Sequence, residues 1–298
     1  MDIQHLRYFV EIVKNKSFTK SAEKLMVSQP MLTRVVKKLE EELDTQLIER
    51  SSKIFHVTDA GMMLNEKALE LLDKHEDLYR FIDDIKDTKT GQVRLSIPGV
   101  ILDTYFPELL RSFYALHPHI EISIIEEGSK LTTKSVLEND VDLGMVMLPI
   151  GKHPSIVTEK VWESVCKWVA PNTHPLAGKE TVHLKELKDE PFITFSDTAT
   201  LHDFFIANCE KEGFTPRILY KSLMPNFVFD MVAFGLCTAI MPDPIINKYK
   251  KPDIVSAPIK PELPWDIAII YNQERYQSYA TKKLLEFIID YFKAMAAA

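Results

Sequence analysis

The feature that most constrains this chain is an apolar repeat in its first third. Leu64, Ala68, Leu71, His75, Leu78, Ile82 and Ile85 follow one another at alternating steps of four and three residues. Only a helix lines such positions up, and the spacing predicts one continuous helix from about Asp59 to Asp87. At about 1.5 Å per residue that helix is on the order of 40 Å long. Glu66, Glu70, Asp73, Asp77, Asp83 and Asp84 flank the seam, so its apolar edge calls for a second copy rather than a surrounding core. Residues 59–88 therefore read as a linker and dimerisation helix, with His75 as a tolerated interface histidine. A chain of 298 residues split by such a rod holds at least one small unit ahead of it and a larger one behind.

The segment ahead, residues 1–58, reads as three short helices and a hairpin. Leu6, Phe9, Val10 and Val13 share one helical face, and Ser17 caps a second helix from Thr19 to Met26 that buries Ala22 and Leu25. After a tight turn at Val27 and Ser28, a third helix starts with Ser28 as its cap and Pro30 in its first turn, where a missing N–H costs nothing. Leu32, Val35, Leu39 and Leu43 form its apolar face, and Gln29, Pro30, Thr33, Arg34 and Lys37 its polar one.

Between Gln29 and Leu39 this helix carries three basic residues, Arg34, Lys37 and Lys38, and no acidic one. A helix fits the DNA major groove, so Gln29, Thr33 and Arg34 near its leading end would reach base edges. Lys37 and Lys38 would sit at phosphates, which position without reading sequence. A basic face alone is more often a solvated surface, and the context tips the balance. The preceding helix and turn make a helix-turn-helix, and Gln46 to Thr58 reads as two short strands around a basic tip with Arg50 and Lys53, a wing. The expected partner is double-stranded operator DNA.

Charge supports the division. The whole chain carries a net −7, which excludes a uniformly basic nucleic-acid coat protein. Residues 1–60 hold ten basic against nine acidic residues and the rest 26 against 34, so the acidity belongs to the larger part. Cys166, Cys209 and Cys237 are too widely spaced for a disulfide scaffold or zinc set. The N-terminus does not read as a signal peptide, and no apolar run is long enough to span a bilayer. A cytoplasmic protein with no membrane partner is expected.

Past a polar linker at Thr88 to Gly91, the pattern changes to strand, helix, strand, helix, strand. The strands are seen at Val93 to Ile97, Ile120 to Ile124 and Leu143 to Leu148, with helices at Tyr105 to Leu116 and Leu131 to Asn139. That order predicts an open parallel sheet whose ligands bind where strands exit into loops, at Pro98 to Ile101, Glu127 to Thr132 and Met147 to Ile150. A second stretch repeats this, with strands at Val165 to Ala170, Phe192 to Phe195, Ile218 to Lys221 and Cys237 to Met241 and helices at Leu201 to Glu212 and Asn226 to Phe234. The strand Trp265 to Tyr271 and a helix from Gln277 to Lys293 close it. No phosphate loop, HExxH, nucleophile elbow or His/Cys cluster appears, so neither an enzyme nor a cofactor or metal site is expected.

The run SFTKSAEKLMVSQPMLTRVVKKLEEELDTQLIERSSKIFHVTDAG, with its SQP, LEEEL and Thr58-x-Ala60-Gly61, resembles the winged helix-turn-helix of LysR-type transcriptional regulators. Asp44 departs by standing where that family usually has Gly. Asp142-Leu143-Gly144, Pro171 with His174-Pro175-Leu176-Ala177, and the run Gly235 to Pro242 resemble the family's effector region. The resemblance implies an all-α winged helix-turn-helix (1–58) with a long linker helix (59–88), followed by an α/β effector domain (92–298) similar to periplasmic binding proteins. It further implies two subdomains, 92–162 with 267–298 and 163–266, and a homodimer or homotetramer.

For the effector it implies a cleft lined by Gly99, Val100, Ser129, Lys130, Leu131 and Thr132 on one side and Phe195, Ser196, Thr198 and Thr200 on the other, closed by Asn226 and Phe227. Hydroxyls and helix-start N–H groups suit a small anion. The segments around Pro98-Gly99-Val100, Leu201-His202-Asp203 and Asp189-Glu190-Pro191-Phe192-Ile193 look like the branch governing overflow and organic-acid metabolism in Gram-positive bacteria, which implies a carboxylate such as acetate or pyruvate. The rival reading is a solute-binding protein without a DNA role, which the basic third helix and the lack of a signal peptide disfavour.

Overall fold

The computed structural model describes residues 1–49, 55–85, 90–197 and 199–297. The chain forms two compact units, Met1–Lys86 and Asp87–Ala298.

In the first unit α1 (Ile3–Asn15), α2 (Phe18–Leu25) and α3 (Gln29–Leu43) pack around Leu6, Phe9, Ile12, Leu32, Val36 and Leu39. Asp2, Ser17 and Ser28 each cap a helix by accepting from the N–H of Gln4, Lys20 and Met31. Four expected core positions differ, and of these Val10, Val13 and Leu25 are only half-buried against this core. Ile12, rather than Val13, completes the buried face of α1, and Leu43 is 40% exposed. The helix ends just past Leu43, at Asp44 in the left-handed region (φ 47°). Asp tolerates that region better than most residues, so the turn is made without glycine.

The family-like motifs have physical jobs here. The Glu40 carboxylate of LEEEL accepts from the N–H groups of Leu47 (3.0 Å) and Ile48 (3.2 Å), tying α3 to the hairpin strands β1 (Ile48–Glu49) and β2 (His56–Val57), which pair antiparallel. Thr58 Oγ1 donates to the Gln46 carbonyl (2.7 Å) and accepts from the N–H of Gly61 (3.0 Å). Gly61 lies against Leu47 so closely that a β-carbon would collide with its carbonyl oxygen.

The long helix α4 runs from Asp59 to Ile85. Its start, through Ala60, Leu64 and Ala68, joins the core of this unit. Further along, Leu71, Leu78 and Ile82 are 46%, 56% and 42% exposed.

The second unit holds two mixed sheets. The first has the order β4-β3-β5-β13-β6, formed by β3 (Gly91–Ile97), β4 (Ile120–Glu126), β5 (Leu143–Met147), β6 (Ile156–Trp162) and β13 (Ile267–Asn272). Helices α5 (Gly99–Leu116), α6 (Ser129–Leu137) and α10 (Tyr279–Ala297) belong with it. The second sheet has the order β10-β9-β11-β7-β12-β8, from β7 (Val165–Pro171), β8 (Val182–His183), β9 (Pro191–Thr194), β10 (Arg217–Lys221), β11 (Thr238–Pro242) and β12 (Ile254–Pro264). It carries α7 (Thr200–Lys211), α8 (Pro225–Ala233), α9 (Asp243–Lys248) and a short 3-10 turn. The chain passes between sheets twice, after Trp162 and after Pro264.

The sheets are not purely parallel, as the strand–helix alternation predicted. β3 runs parallel to β4 and β5, but β13 is antiparallel to β5 and β6, and β7 antiparallel to β11 and β12. A strand that arrives from the other sheet needs no crossover helix, so it is free to enter in either direction.

Candidate functional site

On α3 the exposed and buried residues separate cleanly. Leu32, Val35, Val36 and Leu39 are buried, while Gln29, Pro30, Thr33, Arg34, Lys37 and Lys38 are exposed along with Ser28. Thr33 Oγ1 donates back to the Gln29 carbonyl (3.1 Å), and Lys37 lies 3.5 Å from Glu41 in an exposed pair of little energetic weight. Arg34 makes no hydrogen bond or ion pair among the described residues, which leaves its planar fork of donors open. β1 and β2 place a hairpin after this helix, but Arg50 and Lys53 lie outside the described residues.

In the second unit a cavity of about 190 Å³ opens where the two sheets meet. That is below the roughly 300–1,000 Å³ of pockets for drug-sized ligands, and suits a small metabolite. Gly99, Val100, Ser129, Leu131, Phe195 and Thr200 line it. Three helices begin there: α5 behind Pro98, α6 behind Gly128 and α7 behind Ala199, none of which gives a side-chain cap. Their first N–H groups and the positive ends of three helix dipoles thus face one space.

Several expected lining residues sit elsewhere. Thr132 is fully buried, because α6 turns Thr132 and Val136 onto the sheet, and its hydroxyl meets Ser96 Oγ at 2.9 Å. Lys130 points away, donating to the Asp197 carbonyl (2.9 Å) and pairing with Asp203 (2.5 Å). Asn226 lines a neighbouring groove with Leu102, Asp103 and Tyr249. Phe227 is 42% exposed and closes nothing, since α8 packs Val228, Phe229 and Val232 inward and so turns position 227 to solvent. Ser196 is not among the lining residues, and Thr198 lies outside the described ones. Sequence reasoning missed Glu126, Ala199, Leu201, Leu223 and Trp265. Glu126 ends the strand just before a loop already singled out, so its position carried a signal; Trp265, in a crossover, carried none.

Polar ties join the halves on both sides of the cavity. Lys130 to Asp203 is one. Opposite it, Lys248 Nζ donates to Asp103 (2.6 Å to Oδ1), and Tyr249 hydrogen-bonds the other carboxylate oxygen. Partial burial pushes the Asp103 carboxyl up, but these two donors outweigh it and hold it below the ordinary range. Burial and the Asp103 hydrogen bond push the Tyr249 phenol up to about 12.

The three thiols are buried. Burial pushes Cys209 up to about 12 and Cys237 up to about 11, and raises Cys166 as well. Thiolates are the reactive form, so these side chains pack rather than react.

A helix-turn-helix unit with an open basic helix face, followed by a two-lobed α/β unit with a cavity between its sheets, is the architecture of a ligand-responsive DNA-binding protein. Residues 3–62 match the bacterial regulatory helix-turn-helix proteins of the lysR family, and residues 86–293 the LysR substrate binding domain. The chain belongs to the LysR family of transcriptional regulators, which are not enzymes.

It is 35% identical to the uncharacterized HTH-type transcriptional regulator YwbI of Bacillus subtilis (strain 168), over 98% of this chain and 97% of that one. In fold it is similar to full-length OxyR of Pseudomonas aeruginosa (TM-score 0.71, 21% identity, 98% and 95% of the two chains). It is also similar to full-length CbnR solved with its target DNA (TM-score 0.63, 21% identity, 97% and 99%). No helix among the described residues is long and apolar enough to cross a membrane.

Proposed function

We propose that α3 reads an operator with Gln29, Thr33 and Arg34 at base edges and Ser28, Pro30, Lys37 and Lys38 at or near the backbone, and that a small carboxylate such as acetate or pyruvate, bound between the two sheets, controls this activity. The division of labour is 1–58 for DNA, 59–88 for dimerisation and 92–298 for sensing, with 92–162 plus 267–298 and 163–266 as the two lobes. The working form is a homodimer or homotetramer in the cytoplasm. The exposed run Leu71, Leu78 and Ile82 supports self-association, since a solvated apolar stripe of this length gains by being covered.

The observation that carries the effector reading is the meeting of three uncapped helix starts at one small cavity. A helix N-terminus offers free N–H donors and about half a positive charge to an anion. Around them Leu131, Phe195, Leu201 and Trp265 give an apolar wall for a short carbon chain. Ligand binding would act by favouring one spacing of the two lobes over another, which requires different affinities for the two states.

A thermal-shift series with the full-length protein and millimolar acetate, propionate, pyruvate or lactate tests it. A ligand at 100 times its Kd adds about 2.7 kcal/mol to the state that binds it, enough to raise the melting temperature by several degrees. No shift with any small carboxylate would contradict the carboxylate reading.

A further inference from the structure

The cavity that offers three helix starts to an anion also holds two carboxylates, and among its lining residues no cation. Glu127 is tied into the protein, one of its oxygens accepting from Ser96 Oγ (3.1 Å) and Ser135 Oγ (2.9 Å). Glu126, at the end of β4, is exposed and has no hydrogen-bond donor among the described residues. Its carboxylate lies over the first turn of α5, in the space that a β-carbon on Gly99 would need. Gly99 thus admits a carboxylate to the start of that helix.

The surrounding charges do not neutralise it. From α5 comes Asp103, which already holds Lys248 of α9 and Tyr249 just after that helix. From the β4–α6 turn comes Glu127, and on α6 Lys130 is engaged by Asp203 and the Asp197 carbonyl. A carboxylate ligand arriving at these helix starts therefore meets a bare carboxylate. Two carboxyl groups forced together relieve their repulsion by sharing one proton.

We propose that the effector carboxylate binds together with one proton, held between it and Glu126, so that Glu126 selects carboxylic acids and couples their binding to acidity. This rests on the small-carboxylate reading above. Ligand anion, Glu126 anion and one proton from solvent combine into an O–H···O⁻ pair of net charge −1, which the three helix starts can accommodate. Chloride and nitrate, whose conjugate acids are far stronger than a carboxylic acid, do not share a proton with Glu126 in this way.

Calorimetric titration of the full-length protein with acetate and with propionate, at pH 6.0 and 7.5 in two buffers of different ionisation heat, counts the protons. The expected result is uptake of about one proton per acid bound and a Kd that weakens about tenfold per pH unit. Glu126→Gln, whose amide donates a hydrogen bond without titrating, is expected to bind with a Kd independent of pH and with no uptake. Binding to the wild-type protein without proton uptake, or uptake that persists in E126Q, would overturn the proposal while leaving the carboxylate reading in place. Failure of the wild-type protein to bind either acid at either pH would overturn both.

Discussion

Replacing Gly61 by Ala sets two opposite effects against each other at the junction of wing and linker helix. Gly61 is in the first turn of α4, where Ala gains at most about 1 kcal/mol in helix propensity. Against this, the new β-carbon would collide with the Leu47 carbonyl oxygen and stand 2.7 Å from Val57 Cγ1 and 3.1 Å from the Leu47 carbonyl carbon. The obstacle is backbone and cannot swing aside. Leu47 O accepts from the Thr58 N–H (3.0 Å) and from Thr58 Oγ1 (3.2 Å), and the Leu47 N–H is bound to Glu40 (3.0 Å).

Overpacking costs about 1–3 kcal/mol, and a rigid partner puts this case near the upper end. The net loss is then about 2 kcal/mol. Residues 1–86 form a unit of their own, so their melting transition should fall by roughly 8–16 °C at the 4–8 °C per kcal/mol of a domain this size. Scanning calorimetry of the full-length variant, with the transition assigned by loss of DNA binding on heating, measures it. An unchanged or raised melting temperature would show that propensity wins and that the close approach of Gly61 to Leu47 has been misread.

The other predictions test separate parts. Arg34→Ala should abolish sequence-specific binding while leaving the oligomer intact, whereas Lys37→Ala should weaken all sequences alike and flatten the salt dependence by about one unit of log–log slope; anisotropy titrations at several salt concentrations separate the two. Leu71→Asp with Leu78→Asp places charges in the exposed seam of α4 and should lower the oligomeric state in sedimentation equilibrium, with each unit still folded by circular dichroism. Asp103→Asn removes a carboxylate whose folded pKa is depressed, so the stability it gives is present above the ordinary carboxylate range and lost as pH falls through the folded value. The pair is partly exposed, so a loss of only about 0.5 kcal/mol, or 1–2 °C, is expected at pH 7, vanishing once the pH falls below the folded carboxylate's depressed range in parallel thermal melts of both proteins.

What the sequence disclosed, and what it hid, follows from the kind of order each residue obeys. The two faces of α3 were legible because Leu32, Val35 and Leu39 repeat with the period of the helix they form. Leu43 was not, since the helix stops beside it at Asp44 and its last turn leaves the core. β6, β8, β12 and α9 escaped notice. β12 carries Pro258, Pro261 and Pro264 and shifts register between Pro258 and Leu263, which hides a strand from any reading by alternation. Strand direction was invisible too, because a period of two is the same either way.

At the cavity, residues following a strand end were legible: Gly99, Ser129 and Phe195 lie where a strand exit predicts a ligand loop. The side a given residue takes was not. One helical step of about 100° separates Leu131, which lines the cavity, from buried Thr132, and the choice was made by the sheet beneath. Nor does a local pattern bring Glu126 onto Gly99 or Trp265 to the cavity that Met147 lines; those meetings belong to the tertiary fold.

The account stands or falls on coupling between the two units. The most direct measurement is DNA affinity, by fluorescence anisotropy, of the full-length protein for a duplex it has itself selected from a random pool, with and without 10 mM acetate or pyruvate, alongside a variant whose cavity is filled by Leu131→Trp. The account predicts that the acid shifts the wild-type affinity or the length of DNA protected, and that the filled variant binds the duplex but ignores the acid. An equal response in both proteins would contradict it.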